Sequence, residues 1–416
     1  RQIIKNLDVI IIDEISMVRA DLLDCINEFL MMHGPDQTKA FGGIRMVFIG
    51  DLHQLPPVVM PAEKQLFQDY YKTPYFFSAN TFDQMDLQFI ELHKIYRQND
   101  EQFIELLGSI RNNTLDVTQL EALNARFDPQ FETPSNRFFI TLTTTNKTAQ
   151  AINEHHLAKL FNERYTYQGK SSGAFDTKYL PTNATLELKV GAQIMMVAND
   201  KNGLWVNGSL GKVTQIIPAK KESESDSILV ELEDGVVVTV QPQTWELFKM
   251  DYNPATDNLQ TQVVGSYTQY PLTLAWAITI HKSQGKTFQN VIIDFGWGTF
   301  AHGQAYVALS RCTSLEGIVL TKPFAKEFII TDPHIHTFLT TFKYTQFEAI
   351  SALISKAIQN ETLLTFIDGA GDKKTVKPYE LNQSAKVFVG HCFSANELLE
   401  FQLDQISNVQ ELLGVS

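Results

Sequence analysis

Two adjacent carboxylates stand at the end of an apolar segment near the start of the chain. The segment covers residues 7–12, and Asp13 and Glu14 follow it at once. In nucleotide hydrolases, an Asp at the end of a buried strand holds Mg²⁺ and a neighbouring acidic residue activates water. The alternative is structural, because buried strands must end somewhere and acidic residues are common where they do. The pair favours phosphate chemistry, and other segments must decide between the two interpretations.

A glutamine follows the second apolar segment, residues 44–49. This segment leads through Gly50 and Asp51 into a proline-rich turn that carries His53 and Gln54. A side-chain amide at the end of a strand can contact a terminal phosphate and orient water by hydrogen bonds. A proline-stiffened loop without a ligand is the alternative.

Two arginines are candidates for contact with a phosphate. Arg97 belongs to the sequence IYRQND, and Arg311 lies near the end of a predicted helix over residues 302–314. A fixed guanidinium neutralises the charge that develops on a phosphoryl group in transfer. Alternatively, Arg97 makes a surface ion pair or a packing contact, and Arg311 complements the helix macrodipole.

Residues 274–288 form an apolar strand that leads into a dense group of hydrogen-bond donors around one glycine. The group consists of Thr279, His281, Lys282, Ser283, Gln284, Gly285, Lys286 and Thr287. Such a group suits phosphate oxygens, sugar hydroxyls or a nucleic-acid backbone, and a hydrophilic loop is the alternative. The end of the group resembles that of a phosphate-binding loop, G-x-x-x-x-G-K-[ST]. The first glycine of that motif would fall on Ile280, so the pattern fails.

The first α/β elements must bring the acidic pair and the glutamine together. Residues 7–12 predict a strand covered on both faces, residues 19–33 a helix, and residues 44–49 a second strand. Strand, helix and strand form a βαβ unit with parallel strands. Because parallel strands end at the same edge of a sheet, this unit places Asp13 and Gln54 on one side.

The remainder of the chain predicts further α/β elements, a β-rich insertion and a tail. Alternating apolar residues from about 182 onward predict a small β-barrel, with hairpin turns at Asn207-Gly208 and Asp234-Gly235. The tail has a helix–strand pattern of its own. The α/β elements are helices within residues 100–127, a strand at 138–142 with a following helix, a strand at 290–296 and the helix at 302–314.

Composition is that of an ordinary folded protein, with 44% hydrophobic and 19% charged residues among 416. No run approaches the about 18 apolar residues of a membrane helix. The net charge of −13 argues against broad nucleic-acid adhesion and leaves room for a local basic groove. The three cysteines share no metal-ligand spacing and fit a reducing compartment, so we expect a cytoplasmic protein, nucleoid-associated in a bacterium.

Taken in order, these segments resemble the Pif- and RecD-type DNA helicases of superfamily one. The resemblance covers about residues 7–322 and rests on IIIDEISM, GDLHQLPPV, IYRQND, TIHKSQGKTF and VALSRCTS. It implies RecA-like folds of the P-loop nucleotide hydrolases, the first of them partial. It also implies an ATP-dependent helicase that moves 5′ to 3′ on single-stranded DNA and unwinds duplexes in replication, repair or recombination.

The resemblance also assigns a role to each candidate residue. ATP and Mg²⁺ are the implied cofactors, with Asp13 holding the metal and Glu14 acting as general base and indirect metal contact. Gln54 would sense the terminal phosphate, Gln284 and Gly285 would contact the nucleotide, Arg97 would be catalytic, and Arg311 would be the arginine finger. The implied contacts with DNA are His53, Thr144, Asn146, Thr279, His281, Lys282 and Ser283. Single-stranded DNA and forked duplex DNA are the implied partners.

The domain organisation implied by the resemblance has five parts. They are the C-terminal part of a first motor domain (1–92), a second motor domain (93–194 and 269–325), an SH3-like barrel (195–268), a connector (326–345) and a tail domain (346–416). Trp205, in the barrel, either stacks on a base or belongs to the barrel core. The tail resembles small β-rich WYL domains, which sense ligands or nucleic acids. It departs from them because Val387-Phe388-Val389 replaces the Trp-Tyr-Leu triplet, and no arginine follows Arg311.

One departure from the helicase family concerns activity. The phosphate-binding loop G-x-x-x-x-G-K-[ST] does not occur in the 416 residues, and the chain starts with Arg1. We therefore expect a C-terminal fragment that does not hydrolyse ATP by itself and needs the missing loop. The alternative function is a non-catalytic nucleic-acid-binding or regulatory module on a helicase scaffold.

Overall fold

The structure is a computed structural model that describes residues 2–85, 87–92, 94–98, 100–134, 137–176, 180–221, 224–253, 258–403 and 405–412. Two compact units divide the chain, the first with residues 1–82 and 95–331 and the second with residues 83–94 and 332–416. The motifs that carry the candidate chemistry all belong to the first unit.

The helices of the first unit are α1 (Gln2–Lys5), α2 (Ala20–His33), α3 (Lys64–Tyr70), α4 (Glu101–Arg111), α5 (Val117–Asn124), α6 (Asn146–Lys159), α7 (Ile280–Ser283) and α8 (Gln304–Ser310). Its strands are β1 (Val9–Ile12), β2 (Arg45–Phe48), β3 (Ile140–Thr143), β4 (Tyr165–Gln168), β5 (Lys170–Gly173), β6 (Thr185–Leu188), β7 (Gln193–Met196), β8 (Leu210–Ile217), β9 (Ser227–Leu232), β10 (Val237–Val240), β11 (Gln243–Asn253), β12 (Asn258–Gln269), β13 (Leu272–Leu274), β14 (Ala277–Thr279), β15 (Val291–Asp294) and β16 (Ile318–Leu320).

Strands β1 and β2 form the predicted parallel pair, with α2 between them in the sequence. The register pairs Val9 with Arg45 and continues to the end of both strands, so the acidic pair and the glutamine turn leave the same edge. Burial on both faces was a wrong prediction, because Val9 is 41% and Ile11 63% exposed. In the part of the chain that the structure describes, the face that carries Val9 and Ile11 is therefore open to solvent.

A four-stranded parallel sheet, in the order β14–β3–β15–β16, carries the other candidate segments. Its strands are built from Ile, Leu and Val with buried threonines, as a covered parallel sheet requires. All four strands end at one edge, so residues 144–146, 279–286, 295–300 and 321–322 emerge side by side. The core beneath includes Leu55 from the glutamine turn and Leu309 from α8.

The insertion between β3 and β14 is antiparallel. Its main sheet has the order β10–β9–β8–β7–β13 and its own buried core. The Asp234-Gly235 turn joins β9 to β10 as predicted, with Gly235 at φ 83°. Asn207-Gly208 instead ends a long loop between β7 and β8, because residues 197–209 separate these two strands. Trp205 lies in this core, 8% exposed, and its indole N–H donates to Ala198 O (3.1 Å).

The second unit contains helix α9 (Pro333–Gln359) and an antiparallel sheet in the order β20–β19–β18–β17–β21. The strands are β17 (Leu363–Ile367), β18 (Lys373–Asn382), β19 (Val387–Cys392), β20 (Glu397–Gln402) and β21 (Ser407–Leu412).

Helix α9 begins inside the segment that we predicted as a connector, residues 326–345. Asp332 caps its first turn by accepting the His334 N–H, and Pro333 occupies a position where a missing N–H costs nothing. The helix then continues for 27 residues into the predicted tail domain. Within the part of the chain that the structure describes, no helix combines the length and apolar character needed to cross a membrane.

Candidate functional site

The acidic pair and the donor-rich segment meet although 270 positions separate them. Gln284 donates its side-chain amide to Glu14 Oε2 (3.2 Å). Glu14 adopts a left-handed backbone conformation, φ 50° and ψ 43°, which is uncommon for a residue with a side chain. Asp13 is exposed, and one of its carboxylate oxygens accepts the Glu14 N–H (2.8 Å). The turn therefore directs the two carboxylates of the predicted site differently, Glu14 toward Gln284 and Asp13 toward solvent.

The glutamine turn is organised by Asp51. Its carboxylate accepts the His53 N–H (2.9 Å), and its carbonyl accepts the Gln54 N–H (3.0 Å). The side-chain oxygen Oε1 of Gln54 is buried, and among the described residues no donor reaches it. The same holds for Oε1 of Gln284. Since buried acceptors are nearly always satisfied, these two amides are suited to accept hydrogen bonds from water or a ligand.

Arg311 is 1% exposed and follows directly on α8. Its guanidinium donates to Val307 O (3.0 Å), Lys286 O (3.2 Å) and Ser310 Oγ (2.9 Å). Burial and the positive charge of Arg97 lower the pKa of Arg311 to about 10, although the charges of Glu14 and Asp51 favour the cation. At neutral pH the side chain remains charged, so a poorly solvated cation lies within electrostatic range of Glu14.

Arg97 lies beside the same helix end, and its neighbour Gln98 was not singled out in the sequence. Arg97 is exposed, and its guanidinium lies 3.5 Å from Ser310 O, so it can turn toward another partner. Gln98 is 5% exposed and donates its amide to Ser310 O (3.2 Å) and Cys312 O (3.0 Å). These two carbonyls flank Arg311, so Gln98 fixes the main chain that carries it. Its proximity to Arg97 was the only signal in the sequence, and it does not indicate burial.

The start of α8 contacts the glutamine turn. His302 Nε2 lies 3.0 Å from Leu52 O. Gly303 adopts φ 69°, and a Cβ added there would lie only 2.2 Å from His53 O. Only glycine allows so close an approach. The residues just before helix α8 thus contact the Gln54 turn, and Arg311 follows directly after the last residue of the helix.

The predicted DNA contacts divide into exposed and buried residues. Asn146 and Lys282 are exposed, whereas Thr144, His53 and His281 are partly buried. Burial lowers the pKa of His281, which favours its neutral form at pH 7. Thr279 and Ser283 are buried, and the hydroxyl of each forms a hydrogen bond with the main chain of helix α7. Thr279 Oγ1 accepts the Lys282 N–H (3.3 Å), and Ser283 Oγ donates to Ile280 O (2.7 Å). Four of the five residues in 144–146 and 279–282 that we predicted as contacts therefore keep some exposed surface.

Comparison with known proteins identifies the family to which the chain belongs. Residues 1–120 match the PIF1-like helicase family, and residues 174–216 match the 2B domain of DNA helicase Pif1. The ATP-dependent DNA helicase Pif1 of Bdellovibrio bacteriovorus is 31% identical over 353 residues, which cover 83% of this chain and 72% of that protein. The chain belongs to the Pif1-like helicase family. The alignment with the Pif1 helicase of a Psychrobacter strain, at 32% identity, covers 75% of this chain and 53% of that protein.

The same fold occurs in a solved Pif1 structure. The Pif1 helicase from Bacteroides, in complex with ADP-AlF3 and single-stranded DNA, is 35% identical with a TM-score of 0.65. The match covers 82% of this chain and 77% of that one. The chain thus spans about half of the length of the Psychrobacter relative and about three-quarters of the Bacteroides protein.

The residues of this Pif1-like chain suit Mg²⁺ held together with a nucleotide. Mg²⁺ binds through one or two carboxylates plus substrate phosphates, and Asp13 offers an exposed carboxylate at the end of β1. Among the described residues, no group of three or more His, Cys, Asp or Glu forms a cage for a metal ion. Asp13 would hold the ion, which would supply positive charge to the phosphate oxygens.

We predict that Gln98 positions Arg311 rather than acting on substrate. In a full-length Pif1-like protein that contains this chain, Gln98→Leu should lower kcat for ATP hydrolysis by about five- to 50-fold. The KM for ATP should stay nearly unchanged. The reason is that Ser310 O and Cys312 O lose the Gln98 amide as a donor, so the Arg311 guanidinium is held less well.

Steady-state kinetics check the Gln98 prediction, with Gln102→Leu as the control. Gln102 lies on an exposed face of α4 four positions away, so its replacement should change neither constant. A rise in KM with unchanged kcat in Gln98→Leu would contradict the positioning role.

Proposed function

We propose that this chain forms the strand-tracking part of an ATP-dependent DNA helicase that moves 5′ to 3′ on single-stranded DNA. The observation that carries the proposal is the meeting of Glu14, Gln284 and the Arg311 region in one place, from segments far apart in sequence. These are the residue types that nucleotide hydrolysis needs: a carboxylate, amides with free acceptors, and guanidinium groups. The Bacteroides relative, whose structure contains ADP-AlF3 and single-stranded DNA, supports both proposed ligands.

In the proposed reaction, water attacks the terminal phosphorus of ATP, and the bond from that phosphorus to the bridging oxygen breaks, so that ADP leaves with the bridging oxygen and phosphate is formed. The Glu14 carboxylate takes a proton from that water, and Oε1 of Gln54 accepts a hydrogen bond that orients it. The negative charge that develops on the phosphoryl oxygens is neutralised by Arg311 and Arg97. Arg97 supplies the mobile cation, since it is exposed, and Arg311 supplies the fixed one.

Two direct contacts are suited to couple the nucleotide to DNA. The segment 279–286 reaches Glu14 through Gln284, and the same segment carries His281 and Lys282. Helix α8 reaches the Gln54 turn through Gly303 and carries Arg311 at its other end. A change around the terminal phosphate therefore has a short path to the predicted DNA contacts His281, Lys282 and His53. We propose that ATP closes the cleft between the two α/β parts and that hydrolysis and product release open it.

The assignment of domains belongs to the same proposal. The parallel pair β1–β2 corresponds to the first motor domain, residues 1–92, and the four-stranded sheet to the second, residues 93–194 and 269–325. The antiparallel insertion corresponds to the SH3-like barrel, residues 195–268, although its strands start before residue 195. The β-rich tail is proposed as WYL-like, with its helix starting at Pro333.

The proposal is tested by ATP hydrolysis in the full-length natural protein, with and without single-stranded DNA. We expect DNA to stimulate turnover strongly. The 416-residue chain, assayed in parallel, should show no turnover above background, because it lacks the main-chain amides and the lysine of G-x-x-x-x-G-K-[ST] that bind the phosphates.

Two outcomes would contradict this proposal. Absence of DNA-stimulated turnover in the full-length protein would leave a nucleic-acid-binding module on a helicase scaffold. Robust hydrolysis by the 416-residue chain would show that the phosphates are bound by another segment.

A further inference from the structure

A short loop holds two aromatic side chains in solvent at the edge where the parallel strands end. The loop comprises residues 296–300 and follows β15; we call it the aromatic loop. Trp297 is fully exposed and Phe300 is 64% exposed. Their neighbour Phe295 is 2% exposed and packs against Phe324 and Phe328. The same short segment thus sends one aromatic ring into the core and two outward.

The aromatic loop is held in place by hydrogen bonds. Because it is fixed on both sides, the exposure of Trp297 and Phe300 follows from the fold of the loop. The bonds are Gly296 N–H to Asp294 Oδ1 (2.9 Å), Gly298 N–H to Phe295 O (2.9 Å), Thr299 Oγ1 to Phe328 O (2.7 Å) and Phe300 N–H to Gln304 Oε1 (3.0 Å). Neither ring is buried among the described residues. Their exposure therefore indicates a role other than packing in the core.

The surroundings of the loop identify the partner. The Phe300 ring is stacked on His281, with centroids 6.4 Å apart and planes at 16°. A Cβ on Gly296 would lie 4.0 Å from Thr144 Oγ1. The loop therefore adjoins both segments that we propose as DNA contacts, the one after β14 and the one after β3.

A cation accompanies the rings. Lys322 Nζ lies 5.1 Å from the centroid of the Trp297 ring and donates to Gly296 O (2.8 Å). Lys282 is also exposed, and it follows His281 in the sequence. Exposed rings with lysines nearby suit single-stranded nucleic acid, because phosphates bind the cations and unpaired bases stack on the free faces of the rings. A duplex hides its base faces and offers no such contact.

We propose that Trp297 and Phe300 form a stacking platform for the bases of single-stranded DNA. This inference rests on the proposed function and adds base contacts to a track otherwise directed at the backbone. Stacking on an aromatic ring is tolerant of base identity, as a translocating motor requires.

The test compares two oligonucleotides of equal length and phosphate count, one ordinary and one abasic. Binding of each to the 416-residue chain is measured at one salt concentration for the wild type, Trp297→Ala, Phe300→Ala and Phe161→Ala. Phe161 is the matched control, since it is fully exposed and follows the far end of α6, away from the edge where β3 ends.

Trp297→Ala and Phe300→Ala should each weaken binding of the ordinary strand by roughly five- to 150-fold, the effect of losing one stacked base. Binding of the abasic strand should stay unchanged, as should both affinities of Phe161→Ala. Fluorescence of Trp297, one of four tryptophans, should be quenched by the ordinary strand only.

Three results would overturn the inference, and they differ in what else they affect. If wild-type protein binds the ordinary strand and both variants bind it equally well, only the stacking platform is refuted. If the variants lose abasic and ordinary strands alike, the loop serves charge or folding rather than stacking. If wild-type protein binds neither strand, the DNA-binding part of the proposed function fails together with the inference.

Discussion

Replacing Arg311 with alanine should lower kcat for ATP hydrolysis in the full-length natural protein by roughly 10³- to 10⁵-fold, the effect of removing an arginine finger. The physical reason is the position of this guanidinium. It is nearly fully buried, close to a second cation, Arg97, and within electrostatic range of Glu14. A cation held in a low-dielectric environment stabilises developing phosphoryl charge far more than one in water.

The charge of Arg311 should not vary across the usual assay range. Its pKa is lowered only to about 10, so the guanidinium is cationic throughout pH 6–9. The pH profile of the remaining activity in Arg311→Ala should therefore keep the shape of the wild-type profile in this range. Arg311→Lys should recover only part of the rate, because an ammonium group cannot make the three fixed contacts of the guanidinium.

Arg126→Ala is the control that separates catalysis from folding. Arg126 also donates to main-chain carbonyls, those of Ile318 (2.9 Å) and Glu316 (2.7 Å), but has no predicted role with ATP. Thermal unfolding and binding of single-stranded DNA should show that Arg311→Ala remains folded. Equal losses of kcat in the two variants would mean that Arg311 acts through the structure of the protein. Wild-type turnover in Arg311→Ala would mean that its guanidinium is not needed for catalysis.

The sequence was sufficient to predict the individual elements that carry the candidate site. Two apolar segments, one followed by Asp13 and Glu14 and the other by Gln54, were correctly predicted as strands. Their pattern is local, because apolar residues lie within a sheet and polar residues lie at its edge. The helix with Arg311 follows from the same logic. Membership in the Pif1-like family was also predicted correctly, since it depends on motifs that are contiguous in sequence.

Contacts between distant segments could not be predicted in this way. No local pattern indicates that Gln284 donates to Glu14, that Gln98 holds the carbonyls beside Arg311, or that Gly303 lies against His53 O. Periodicity reports which side of an element is apolar, not which element covers it. For the same reason the predicted burial of Val9 and Ile11 was wrong, and the exposure of Trp297 was not anticipated.

The boundary of helix α9 was not predicted from the sequence. The family resemblance implied a connector at residues 326–345. Yet Asp332 and Pro333 form a helix start that is stabilised by one side-chain hydrogen bond, and α9 continues from there. The helix start at Asp332 and Pro333 is therefore a local feature that a domain assignment by resemblance does not include.

Glu14→Gln should lower kcat by roughly 10²- to 10⁴-fold while binding of ATP and single-stranded DNA survives, because an amide cannot take a proton from the attacking water. The variant keeps the size of the side chain. It also keeps an acceptor for the Gln284 amide, which donates to Glu14 Oε2 in the wild type. The contact between the acidic pair and the donor-rich segment is therefore retained, and proton transfer is the property that changes.

Gln284→Ala is the matched control for this prediction. It removes the 3.2 Å contact but leaves the carboxylate of Glu14 in place. The rate of single-turnover hydrolysis should then be reduced far less in Gln284→Ala than in Glu14→Gln. Stimulation of this rate by DNA should be weaker in Gln284→Ala, because the path from the nucleotide to Lys282 is interrupted. If Gln284→Ala abolished hydrolysis as completely as Glu14→Gln, the carboxylate would serve to hold the two segments together, and the general base would have to be sought among other residues.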